Sequence, residues 1–208
     1  MLSTDHNWIY IHVPKTGGNS VQEVLLPFSD DQKVVGEFRD GVDTFGIAGN
    51  VTPTKHATLS DYGQVLGDLS RYLIIASIRH PVERSVSYYY SPFRWMRQRS
   101  DGSWWQSPPH WNLEEFLTML PDIRPMTEYL TIAGSVSPRL KLLRFENLAG
   151  DFSNLVKTLN LPVSGVLPQR NRTADLANLA RIALSDAKVR SAVRIAHAQD
   201  FEAFGYAL

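Results

Sequence analysis

The stretch "HVPKTGGNSV", residues 12–21, decides the reading of this chain. Before it runs "WIYIHV" (8–13), a short β-rich segment that Pro14 ends. After it, "GNSVQEVLLPF" has helix character from Gly18 onward, with Asn19 or Ser20 as the expected N-cap and Val21, Val24 and Leu25 on one face. Strand, glycine turn and helix together make an anion cradle. The first N–H groups of a helix lack intrahelical partners and point at a ligand, and the helix dipole favours negative charge there. Gly17 and Gly18 leave the backbone room to close around the anion, while Thr16 and Ser20 add hydroxyls and Lys15 an ammonium.

The order of these parts matters. In the pattern G-x-x-x-x-G-K-[ST] the lysine follows the glycines and the next hydroxyl holds magnesium. Here Lys15 precedes Gly17, and no acidic residue nearby in sequence closes a magnesium site. That argues against an ATPase or GTPase. It suits a metal-free donor with a phosphate-linked leaving group.

Working outward, a strand is expected near "VVGEF" (34–38), and "TLSDYGQVLG" (58–67) reads as a short helix stopped by Gly67. The apolar run "RYLIIASI" (71–78) has the pattern of a strand buried on both faces. Pro81 suits the first turn of the next helix, "VERSVSYYYSPFRWMRQ", which Pro92 interrupts or kinks. A loop, "SDGSWWQSPPHW" (100–111), leads to a capped helix, "NLEEFLTML". The strand "RLKLLRFE" (139–146) and the helix "DFSNLVKTLNL" follow, and the last forty residues are helical. Strands alternating with helices predict an α/β fold around a mainly parallel sheet flanked by helices, with right-handed crossovers. With 208 residues and no repeat or linker, a single domain over 1–208 is expected.

Composition narrows the class. Hydrophobic residues make up 43% and charged residues 20%, ordinary for a soluble globular protein. The chain has no cysteine, which removes disulfides and thiolate metal sites and suits a reducing compartment. No apolar run approaches the roughly 20 residues of a membrane span, and the start lacks signal-peptide features, so a cytoplasmic protein is expected. Net charge is zero, yet residues 79–99 hold Arg79, Arg84, Arg94, Arg97 and Arg99 against Glu83 alone. Such local excess suits a small, strongly anionic ligand better than a nucleic acid, which needs a broad basic face.

Arg79 leaves the end of the strand 71–78, where open α/β sheets bind ligands, and Ser87 follows eight positions later. An arginine with a hydroxyl can hold a second phosphate. One anion site after the first strand and another after a later strand suggest a ligand with two separated anionic groups.

These motifs resemble those of sulfotransferases that use 3′-phosphoadenosine 5′-phosphosulfate (PAPS), in the branch that includes heparan sulfate 2-O-sulfotransferase and many small bacterial carbohydrate-type enzymes. "HVPKTGGNS" is similar to the family's 5′-phosphosulfate loop and "IRHPVERSVSYYY" to its 3′-phosphate motif R-x-P-x-x-R-x-x-S-x-Y. Further likeness lies in "LLRFENL" (142–148), "LPQRNRT" (167–173) and "DFEAFGY" (200–206). The resemblance implies a P-loop-like three-layer fold and in-line sulfuryl transfer to a hydroxyl, with 3′-phosphoadenosine 5′-phosphate as product and no metal required. It implies that Lys15 contacts the bridging oxygen and that the amides of Thr16, Gly17, Gly18, Asn19 and Ser20 hold the 5′-phosphate. Arg79 and Ser87 would hold the 3′-phosphate. Asn19 departs from the family's usual threonine, which alters side-chain detail while leaving the backbone amide.

Transfer to a hydroxyl needs a base, and histidine is the first choice because its ordinary pKa of about 6.5 lies near neutrality. Of six histidines, His6 falls in an N-terminus expected to be ragged, His12 at the end of the first strand, His80 between Arg79 and Pro81, and His197 in the terminal helix. His110 lies in the tryptophan-rich loop, within reach of an acceptor. Related enzymes carry their catalytic histidine between the two cofactor motifs, which selects His56, with Glu37, Asp40, Asp43 or Asp61 in reserve.

The acceptor is less defined. Trp104 and Trp105 suit a sugar-stacking wall or the packing of a long loop, and Arg170 and Arg172 suit the nucleotide, an anionic acceptor or solvent. A hydroxyl-bearing glycan or small molecule is the expected partner. The rivals are an ATP-dependent P-loop kinase, a relative that binds nucleotide without catalysis, and a nucleic-acid binder.

Overall fold

The computed structural model describes residues 1–34, 46–49, 51, 54–91, 94, 97–105, 110–132, 134–137, 139–168 and 176–207. In chain order the elements are β1 (Leu2–Ser3), β2 (Trp8–Ile11), α1 (Gly18–Leu25), β3 (Gln32–Val34), β4 (Gly46–Ala48), α2 (Leu59–Leu66), β5 (Leu73–Ile78) and α3 (Pro81–Tyr89). There follow β6 (Arg97–Gln98), β7 (Trp104–Trp105), α4 (Leu113–Met119), α5 (Met126–Leu130), β8 (Thr131–Ile132), β9 (Ser135–Val136), β10 (Leu140–Arg144), α6 (Leu148–Thr158), α7 (Leu176–Ser185), α8 (Ala187–Ala196) and α9 (Ala198–Phe204). Two compact units emerge. One comprises Met1–Val34, Gly46–Arg79 and Met126–Arg170; the other comprises Val35–Phe45, His80–Pro125 and Asn171–Leu208.

The first unit is built on a four-stranded, mostly parallel sheet in the order β1-β2-β5-β10. Only β1 runs antiparallel, pairing Leu2 with Ile9 and Ser3 with Trp8, so the expected ragged terminus is instead an edge strand. The two central strands explain their apolar composition. Every residue of β2 is buried, and β5 is buried from Ile74 to Ile78, as a strand covered on both faces requires. The edge strand β10 is covered less, with Leu143 alone fully buried and Lys141 exposed. Register sets the site: Ile11 pairs with Ala76 on one side of β5, and Arg144 pairs with Ile78 on the other. One residue beyond the last β5–β10 pair stand Arg79 and Phe145.

Helix boundaries follow local chemistry. α2 opens with a capping box in which Thr58 accepts from the Asp61 amide and Asp61 accepts from the Thr58 amide, and Gly67 stops it. α1 begins at Gly18, as expected, but its cap lies two residues before Asn19. Its N-cap is Gly17, in the left-handed region at φ 80°, rather than Asn19 or Ser20. The helix "DFSNLVKTLNL" begins earlier than expected, at Leu148. The strand expected near "VVGEF" is seen at its start, as β3 paired with β4; residues 35–38 lie outside the described set.

In the second unit Pro81 occupies the first turn of α3, where its missing N–H costs nothing. α3 ends at Tyr89, and Pro92 lies outside the described residues. The core is Val82, Val86, Tyr89, Phe116, Val189, Val193 and Phe201 with their neighbours, drawn from α3, α4, α8 and α9. Within the expected loop 100–111, Trp104 and Trp105 form β7 and pair with Gln98 and Arg97 of β6. Asn112 caps α4 by accepting from the Glu115 amide.

Candidate functional site

The turn between β2 and α1 shows why it contains two glycines. Lys15 and Gly17 both take positive φ, 69° and 80°, with Thr16 between them outside that region. Alternation of this kind turns successive N–H groups toward one concave side. Gly17 is needed for its dihedral, and a Cβ there would also stand 2.8 Å from Leu148 Cδ2 and 3.1 Å from Phe145 Cδ2. Gly18 is needed for a different reason. A Cβ at Gly18 would lie 2.2 Å from His12 Cδ2 and 2.9 Å from the Tyr10 hydroxyl, an impossible overlap. The helix N-terminus therefore rests directly on the rings of Tyr10 and His12.

Those rings are fixed from below. Tyr10 and Ser77, on adjacent parallel strands, share a 2.6 Å hydrogen bond, and burial pushes the Tyr10 phenol far up. His12 stacks beside Tyr10 at 6.4 Å between centroids. Burial, helped by positive charge at His56 and Lys55, holds His12 well below the usual histidine range, so it is neutral. Its Nδ1, both amide atoms of Gln22 and the Asn19 Oδ1 are buried, and Gln22 reaches the His12 ring. This floor of buried polar atoms lies under the loop.

Within the loop, Thr16 is fully buried and donates its hydroxyl to the Val13 carbonyl at 2.8 Å, so that hydroxyl secures the turn. The Ser20 amide donates to the Gly17 carbonyl at 3.2 Å, leaving the amides of Gly17, Gly18 and Asn19 as the helix's first donors. Lys15 is half-buried.

His56 lies in the turn before α2, is exposed, and donates from Nδ1 to the His12 carbonyl at 3.0 Å. The two rings stand 4.7 Å apart. Sequence reasoning therefore named His56, which the fold brings against His12. Of the reserve carboxylates, Asp61 is engaged at the α2 cap, taking two hydrogen bonds from Thr58, and Glu37, Asp40 and Asp43 lie outside the described residues.

Arg79, at the end of β5, is 5% exposed, and its guanidinium carbon sits 3.8 Å from the centroid of the Phe145 ring. Phe145 opens a short turn, Phe145–Asn147, that Asp151 pins by accepting from the Arg144 amide at 2.8 Å and from the Asn147 side chain at 2.9 Å. The motif "LLRFENL" marked this segment, but nothing in it marked Phe145.

The second unit carries the other candidates. Ser87 is buried on α3. His80 accepts from the Val82 amide through Nδ1 and donates from Nε2 to the Ala207 carbonyl at 2.8 Å, while its ring packs edge-on against Phe201 and Tyr206. It joins the start of α3 to the "DFEAFGY" tail. His110 is exposed, and its carbonyl accepts from the Tyr89 hydroxyl at 3.0 Å. Trp111, the third tryptophan of its loop, packs against Tyr89 and Phe116. Arg170 and Arg172 lie outside the described residues. Among the described residues no group of three or more His, Asp or Glu side chains could hold a metal, and no helix is long and apolar enough to cross a membrane.

A glycine turn into a helix N-terminus at the C-terminal end of a strand in a mostly parallel sheet is the arrangement by which α/β proteins as a class bind anions. A family model described as the sulfotransferase family matches residues 1–207, and the chain belongs to that family. Its chemistry is accordingly sulfuryl transfer, of the EC 2.8.2 type. No curated protein and no solved structure gives a significant match.

Proposed function

We propose that residues 1–208 act as a single PAPS-dependent O-sulfotransferase domain with a P-loop-like fold, of the branch resembling heparan sulfate 2-O-sulfotransferase and small bacterial carbohydrate-type enzymes. The observation that carries this reading is the convergence, on one edge of the first unit's sheet, of the glycine turn and the buried Arg79. A turn in which Lys15 and Gly17 alternate through the left-handed region, at the start of a helix, fits a phosphosulfate held by backbone amides. Arg79, with Ser87, would receive the 3′-phosphate.

PAPS supplies an activated sulfuryl group when bound. The residues do the rest. The amides of Gly17, Gly18 and Asn19 at the start of α1 hold the 5′-phosphate and take up charge as it departs. Lys15 neutralises the bridging oxygen. His56 takes the acceptor proton at Nε2, because its Nδ1 proton is committed to the His12 carbonyl. Because the sulfuryl group carries less charge than a phosphoryl group, a lysine and amides suffice without magnesium. The acceptor is a hydroxyl of a glycan or small molecule, with Trp104, Trp105, His110, Arg170 and Arg172 as candidate contacts. A cytoplasmic location accompanies this reading.

The test is thermal unfolding with 3′-phosphoadenosine 5′-phosphate without magnesium, beside ATP with magnesium, for wild type, Lys15→Ala and Arg79→Ala. A ligand that binds only the folded state adds about 2.7 kcal/mol at a hundredfold excess over its Kd. A shift with the 3′-phosphorylated nucleotide, reduced in both variants, is expected. A shift with magnesium ATP alone would replace this reading with a kinase.

A further inference from the structure

We infer that Phe145 is a positioning residue that ties the two phosphate sites together, so that the enzyme's preference for a 3′-phosphorylated nucleotide depends on an aromatic ring at this position. This rests on the proposed function above.

Three observations carry the inference. The ring lies beneath the Arg79 guanidinium, 3.8 Å from centroid to guanidinium carbon, close enough for a cation–π contact. The same ring presents its Cδ2 and Cε2 edge to Gly17, at 3.1 and 3.2 Å from where a Cβ would be. One side chain therefore abuts the turn proposed for the 5′-phosphosulfate and supports the arginine proposed for the 3′-phosphate. Its own place is set independently of both: β10 pairs in register with β5 up to Arg144–Ile78, and Asp151 clamps the turn that follows.

The physical consequence concerns entropy and aim. An arginine side chain has several rotatable bonds, so fixing its plane costs conformational entropy. A flat ring under the guanidinium holds its plane and leaves its N–H edge for a planar or tetrahedral oxyanion. Without the ring, Arg79 retains its charge but loses the surface that sets its plane, so the ligand must supply more of its ordering. The loss then falls on the 3′-phosphate and spares the 5′-phosphate, which the backbone amides hold.

The experiment measures Kd by calorimetry for 3′-phosphoadenosine 5′-phosphate and for adenosine 5′-phosphate. The proteins are wild type, Phe145→Leu and Phe145→Tyr, with Phe145→Met replacing the leucine variant should that fail to fold. Wild type is expected to prefer the 3′-phosphorylated nucleotide. The leucine or methionine variant should lose roughly fivefold or more of that preference, the weight of a cation–π contact, with adenosine 5′-phosphate binding little changed. Phe145→Tyr should retain the preference. Equal weakening of both nucleotides, or an unchanged ratio, would mean that Phe145 only packs the turn and would overturn the inference. A wild type with no preference would instead overturn the sulfotransferase site reading itself, and this inference with it.

Discussion

The Nδ1 proton of His56 is donated to the backbone carbonyl of His12 across 3.0 Å, and the two rings lie 4.7 Å apart, tilted by 46°. A carbonyl only accepts, so in the neutral ring Nδ1 carries the proton and Nε2 the lone pair. His12 is itself neutral because burial disfavours its charged form, so it adds no positive charge beside His56. With His56 as base, His56→Ala is expected to lower kcat by about 10²- to 10⁴-fold while nucleotide Kd stays put. Steady-state transfer to a hydroxyl acceptor, measured beside nucleotide titration, checks both. A variant that loses nucleotide binding instead would assign His56 to the cofactor site.

Lys15 contributes charge from a left-handed backbone position, φ 69°, which disfavours any side chain with a Cβ. Lys15→Gly relieves that strain while removing the ammonium. Its unfolding free energy should lie within about 1 kcal/mol of wild type or above it. Transfer should collapse. Chemical denaturation paired with turnover separates the two effects, and parallel losses in both would show that Lys15 is structural.

The overlap at Gly18 predicts a coupled pair. Gly18→Ala forces a methyl group into the His12 ring and should cost about 1–3 kcal/mol, as overpacking does. Removing the ring in His12→Ala/Gly18→Ala should recover part of that cost, although the Tyr10 hydroxyl still crowds the site. A double-mutant cycle measures the coupling. Simple additivity would mean that the ring and the helix start do not touch.

In the second unit His197 is 1% exposed, and burial, with the nearby Arg84 charge, lowers its pKa to about 4 against the opposing pull of Asp200. Between about pH 6.5 and 4 the unfolded chain takes up a proton that the folded chain refuses. Stability is therefore full above pH 6.5 and falls as pH drops, by on the order of 3 kcal/mol across the window. His12 acts with the same sign in the first unit. The urea midpoint of wild type should fall more steeply from pH 7 to pH 4.5 than that of His197→Gln. Equal slopes would refute a buried neutral His197.

Much of this molecule is local information. The strand, glycine turn and helix at residues 8–25, the stop at Gly67, Pro81 at a first helical turn and the Asn112 cap depend on neighbours within four residues, so periodicity and dihedral preference reveal them. The family follows from motif order along the chain. The cap of α1 is not legible in the sequence, because Asn19 and Ser20 are good caps by chemistry, whereas Gly17 adopts the left-handed turn that opens the helix. What no local signal carries is register between strands far apart in sequence. The order β1-β2-β5-β10 stands Phe145 beside Arg79, brings Tyr10 against Ser77, and lays His12 beneath Gly18. Residues 8–25 by themselves specify a strand, a glycine turn and a helix. Which rings and charges surround that turn was decided by the packing of parallel strands, whose hydrogen bonds join segments more than sixty residues apart.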